Sequence, residues 1–185
     1  MRKINCISTW LLTGLLSCTY VTQAQKIKEH ASLTVKESNG KTVTYNYPDD
    51  FPNTLYNCQQ TGSEGSKISH TDFGFSKTFD QFKNEDGDPP IVTVQMRIGP
   101  SGVGTFPLKT TDSDQPQGDL QIDLNSPAHP LNDFDNDTNG SITISEYPAV
   151  GSFIVGSFKA TLKDAAGKSY AVNGTFRIKR QSNTE

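Results

Sequence analysis
The chain has 185 residues, 17 Lys and Arg against 20 Asp and Glu, and a net charge of -3. That length holds one ordinary domain, and 33% hydrophobic residues with 15 Gly and 10 Pro along the chain exclude a polytopic membrane protein, a coiled coil and a collagen. Charged residues are only 20% beside 10 Phe, 6 Tyr and 1 Trp, which excludes wholesale disorder, and the negative balance removes the electrostatic case for a nucleic-acid partner.

Met1-Arg2-Lys3 is a basic start, and Ile7 to Leu16 is an uncharged apolar run. The run is too short to cross a bilayer core of about 30 Å as a helix and has the length of a signal-peptide core. Two exits follow. Thr22-Gln23-Ala24 is a small-residue cleavage site over a signal peptide 1–24 that leaves Gln25 first. Leu15-Leu16-Ser17-Cys18 resembles a bacterial lipobox with a signal 1–17, in which Cys18 becomes the lipidated first residue, although Leu is large for the middle position. Both exits predict export, and a lipid on Cys18 is then the only membrane attachment expected. Cleavage after residue 24 removes Arg2 and Lys3, leaving 15 basic against 20 acidic residues, or -5. Cys6 lies within the signal, so Cys58 is the one thiol remaining in a chain cut after Ala24. No internal disulfide and no disulfide-linked partner are expected, and Cys58 reads as a small buried hydrophobe.

Residues 25–30 read as a tether, 31–180 as one domain and 181–185 as a tail. Ala31, Leu33 and Val35 alternate with polar residues, as do Val43, Tyr45 and Tyr47 beyond Ser38-Asn39-Gly40. Asn-Gly between alternating runs predicts a hairpin, since both residues tolerate positive φ. Residues 54–60 and 66–75 are weaker strands. Phe75, Phe79 and Phe82 have helical spacing, so one short helix over 76–83 competes there with a loop anchored by three rings. Val92, Val94, Met96 and Ile98 mark a half-buried strand closed by the turn Gly99-Pro100-Ser101-Gly102. Leu120, Ile122 and Leu124 mark the next, and Ile142 and Ile144 another. Residues 152–163 and 170–178 form a final pair around Asp164-Ala165-Ala166-Gly167. Strands at this spacing predict an all-β fold: a single antiparallel β-sandwich, with a small β-barrel as the alternative. Gly104-Thr105-Phe106, Gly156-Ser157-Phe158 and Gly174-Thr175-Phe176 share a small-small-Phe pattern. Its reading is packing, with a Phe ring covering bare Gly backbone on the neighbouring strand.

Chemistry is sparse. Nucleophile-elbow, zincin, P-loop and dinucleotide patterns are absent, and His30, His70 and His129 lack metal-ligand spacing. Residues 135–146, from Asp135 to Glu146, satisfy the D-x-[DN]-x-[DN]-G-x5-E calcium-loop string. Asp135, Asp137 and Asn139 would converge on a hard cation, Gly140 would allow the bend, Ser141 would offer a carbonyl and Glu146 would close the shell. Pro127, Pro130, Pro148 and Gly151 exclude the flanking helices of an EF-hand. The competing reading is an acidic loop with a strand from Ser141, which sends Glu146 away from the aspartates. That reading is favoured, because burying Ile142 and Ile144 stabilises more than a weak extracellular site would. Calcium is therefore a minority expectation, and no other cofactor is expected.

Gly140–Tyr147, Val150–Asp164 and Gly167–Arg180 together resemble the end of small exported β-proteins of Bacteroidetes, which belong to domain-of-unknown-function families and are often lipoproteins. Val103-Gly104-Thr105-Phe106-Pro107-Leu108 is similar to their recurrent Gly-Thr-Tyr-x-Leu strand, and residues 33–47 to their first hairpin. The likeness spans most of 31–180 and is closest in the last forty residues. It implies fold and export and brings no catalytic residue. The long loops 84–90 and 112–118 and the unusual lipobox depart from it. The expected function is a non-enzymatic, exported or outer-membrane-tethered module binding a protein or glycan at the cell surface. A secreted hydrolase with a carboxylate site built from loops, and a structural surface protein, are the competing classes.

Overall fold
The computed structural model describes residues 28–49, 54–61, 69–80, 90–108, 117–125, 139–164 and 167–181. Among them are ten strands: β1 (His30–Glu37), β2 (Thr42–Pro48), β3 (Thr54–Thr61), β4 (His70–Thr78), β5 (Ile91–Gly99), β6 (Gly104–Pro107), β7 (Gln117–Asn125), β8 (Asn139–Glu146), β9 (Phe153–Lys163) and β10 (Ser169–Lys179). They form two antiparallel sheets, β2-β1-β10-β9-β8-β6 and β3-β4-β5-β7, packed as a sandwich.

The alternation places one side of every strand in the core. Leu33, Tyr47, Ile142, Phe158, Phe176 and Ile178 point inward from the larger sheet, and Cys58, Phe73, Phe75, Val94, Ile98 and Ile122 from the smaller. Burying a side chain of this size contributes about 1.5–3 kcal/mol. Rings meet across the layers: Tyr47 and Phe75 at 4.5 Å, Phe73 and Phe176 at 5.0 Å.

The first hairpin turns on Gly40, at φ 89°, with its N–H donating to Glu37 O at 2.9 Å. Asn39 does not use positive φ; its side chain instead accepts the Lys41 N–H at 2.8 Å. One left-handed residue thus suffices where the sequence allowed two. Two of the three small-small-Phe triplets interlock as expected, Phe158 opposite Gly174 and Phe176 opposite Gly156, whereas Gly104 and Phe106 of the third lie opposite Ile144 and Ile142. A Cβ at Gly174 would lie 2.5 Å from the Phe158 Cζ and closer still to the Ser32 carbonyl oxygen. Gly174→Ala should therefore cost about 1–3 kcal/mol through overpacking, read as a lower urea midpoint at unchanged slope. An unchanged midpoint would show that the Gly–Phe contacts carry no strain.

Two segment boundaries differ from the sequence reading. β1 begins at His30, and the Glu29 carboxylate accepts the Lys179 N–H at 2.8 Å, so the end of the expected tether is part of the sheet. At the other end Gln181 donates its N–H to Cys58 O at 2.9 Å. Ser76 to Thr78, the first residues of the expected helix 76–83, continue β4, and Phe79 is buried just past it. Residues 81–83 lie outside the described residues, as do the signal segment with Cys18, residues 66–68, His129, the loop 112–116 and the tail 182–185.

Arg180 closes one end of the sandwich and is 2% exposed. Its guanidinium donates to the Gln60 side-chain oxygen and to Pro148 O at 2.7 Å, and lies 4.7 Å from the Tyr147 ring centre. Tyr147 Oη donates to Gln60 at 3.0 Å and also meets Thr71 Oγ1 at 2.7 Å; Thr71 in turn donates to Ser101 Oγ at 2.9 Å. The network joins β3, β4 and the ends of β8 and β10, where an isolated buried charge would be prohibitive.

Candidate binding cleft on the smaller sheet
The inward side of the smaller sheet is mostly apolar, and alternation turns Asn57, Asp72, Gln95, Arg97, Asp119 and Gln121 outward. Register then aligns them. Asp72 lies opposite Arg97, and Arg97 opposite Asp119, making a charged row across β4, β5 and β7. Asn57, Gly74, Gln95 and Gln121 form the adjacent row across all four strands. Gly74 adds no side chain to that row, and its backbone is buried. A Cβ there would stand 3.2 Å from Asn57 Oδ1, so the Asn57 amide leans over bare backbone. The result is a cleft of about 280 Å³ lined by these six polar side chains, with Phe73 and Met96 beneath.

Arg97 Nε donates to Asp72 Oδ1 at 2.6 Å, and this bond raises the guanidinium above its ordinary pKa. His70 Nε2 stands 3.3 Å from the other Asp72 oxygen. Arg97 and Asp72 are 57% and 38% exposed, so the pair adds little to stability. The lining offers amide donors and acceptors, two carboxylates and one guanidinium. It holds no Ser, Cys, Thr or Lys nucleophile. These groups can donate hydrogen bonds to a polar ligand and accept them from it.

Asp135 and Asp137 of the calcium string lie outside the described residues, while Asn139, Ser141 and Glu146 belong to β8. Ile142 and Ile144 are buried, and Glu146 is exposed opposite Val155, after a bulge at Ser145. Extended backbone holds Ser141 and Glu146 about 16 Å apart, too far to share one ion through bonds of about 2.3–2.6 Å. From Ser141 to Glu146 the string follows the hydrophobic period of β8. Among the described residues no group of three or more His, Cys, Asp or Glu is placed to hold a metal. Glu146→Ala should leave unchanged any rise in Tm that millimolar Ca²⁺ produces. Loss of such a rise would restore Glu146 as a ligand.

Cys58 is fully buried, as its sequence setting suggests, and its thiol is pushed up to about 12 chiefly by desolvation. The folded state holds this proton to higher pH than the unfolded chain. Its contribution is complete below the ordinary value of 9.0 and is lost as pH rises towards about 12. Burial raises Tyr45 and Tyr47 too, which adds to the alkaline loss. At neutral pH a thiol dye should label Cys58 only in unfolded chain, and stability should fall from pH 9 upward, less steeply in Cys58→Ala. Rapid labelling of Cys58 in the native protein would contradict the burial.

No protein-family model, curated protein or solved structure matches the chain.

Proposed function
We propose that the protein is an exported, non-enzymatic binding module of the cell envelope, which takes a protein or glycan ligand on the outer face of its smaller sheet. The observation that carries this reading is the cleft: six convergent polar side chains held on paired strands. Rigid strands hold hydrogen-bonding groups with little ordering cost on binding. Export is supported by the basic start, the apolar run 7–16 and the resemblance to exported β-proteins. The hydrolase alternative needs a free acid and base, whereas Asp72 is already engaged by Arg97.

Capture from the cell envelope tests it. A ligand retained by the wild type and lost by Arg97→Ala, and recovered chemically unchanged, is the expected result. Turnover of that ligand, abolished by Asp119→Asn, would instead establish a hydrolase. The mass of the exported protein reads its processing: a chain starting at Gln25, or one carrying lipid on Cys18.

A further inference from the structure
We infer that the cleft seats one uncharged sugar unit of a glycan, an inference that rests on the cleft being the binding site. Asp72 and Asp119 outnumber Arg97, so the lining carries one net negative charge and rejects phosphate, sulfate and uronate groups. A peptide anchor would need an apolar or aromatic pocket. The exposed apolar residues Leu55 and Ile91 stand outside the lining. What remains is a ligand dense in groups that both donate and accept. Sugar hydroxyls do both, and the amides of Asn57, Gln95 and Gln121 present a donor and an acceptor each.

Size and spacing agree. A volume of 280 Å³ falls just below the range of about 300–1,000 Å³ for drug-sized ligands, which suits a single ring whose neighbours run out over the sheet. Gln95 and Gln121 lie opposite one another on adjacent strands, which are about 4.8 Å apart, a gap that one pyranose ring bridges with two of its hydroxyls. Asp119 and the outward nitrogens of Arg97 border the same seat and can pair with vicinal hydroxyls.

The test is an array of immobilised oligosaccharides probed with the full-length chain. Neutral hexose and N-acetylhexosamine chains stand beside sialylated, sulfated and uronate ones. At least one neutral glycan should be retained, and free sugar of the same type should displace the protein. The Gln95→Ala/Gln121→Ala double variant should bind it at least tenfold more weakly at unchanged Tm, since both side chains are exposed. Retention of acidic glycans alone, or neutral binding untouched by the double variant, would overturn the inference. So would an array that retains nothing. In that last case Arg97-dependent capture of an envelope protein would leave the binding-module reading standing, and capture independent of Arg97 would remove it too.

Discussion

Phe176→Ala should lower stability by about 3–5 kcal/mol, the cost of truncating a core Phe. The side chain is 1% exposed, its ring lies 5.0 Å from that of Phe73 on the opposite sheet, and its far edge covers Gly156 on β9. Removing it opens a cavity between the layers and uncovers glycine backbone. At about 2–4 °C per kcal/mol for a domain of this size, Tm should drop by about 6–20 °C. Phe153→Ala is the control, because Phe153 is only partly buried and stacks against Arg177 at 4.5 Å. It should cost clearly less. Equal losses would show that the two sides of the larger sheet have been assigned wrongly.

The second large effect is expected at Arg180. Arg180→Ala removes a buried guanidinium that bonds Gln60 and Pro148 O and stacks on Tyr147. Hydrogen bonds to a charged group are worth about 1.5–3 kcal/mol each, so the loss should reach about 3 kcal/mol or more. Arg180→Lys should recover only part of it, since an ammonium lacks the planar fork that reaches two acceptors at once. Hydrogen exchange gives a separate readout. The Gln181 amide, bonded to Cys58 O at 2.9 Å, should lose protection in Arg180→Ala as the end of the sandwich loosens. A variant with wild-type Tm and protection would mean that the network is ornamental to folding.

These two residues show how differently the sequence speaks. Phe176 was legible, since Tyr170, Val172, Gly174, Phe176 and Ile178 share one face by simple alternation and all are buried. Arg180 was not. A basic residue beside a polar terminus reads as solvated, and only the chain fold brings Gln60 and Tyr147 to it. The spacing of Phe75 and Phe79 has another origin. Phe75 takes its inward place in β4, and Phe79 reaches the core just past the strand end, so an interval of four arises without a helix turn. β6 carried too few residues to alternate visibly and was suggested only by the Gly-Thr-Phe resemblance.

The cleft was hidden most completely. Gln95 and Arg97 look like ordinary outward positions of β5, as do Asp119 and Gln121 on β7. Nothing local aligns Asp72 with Arg97 and Asp119, because register is a long-range property. The calcium string, by contrast, is explicit in sequence, and its second half is the extended backbone from Ser141 that buries Ile142 and Ile144.

The most direct measurement of the central claim is the amide and side-chain NMR spectrum of the protein as an array-retained neutral oligosaccharide is added. The shifts should concentrate on the side-chain amides of Asn57, Gln95 and Gln121 and on Arg97 Nε–H, with the outer face of the six-stranded sheet unchanged. Shifts confined to the six-stranded sheet, or to residues remote from Gly74, would contradict it.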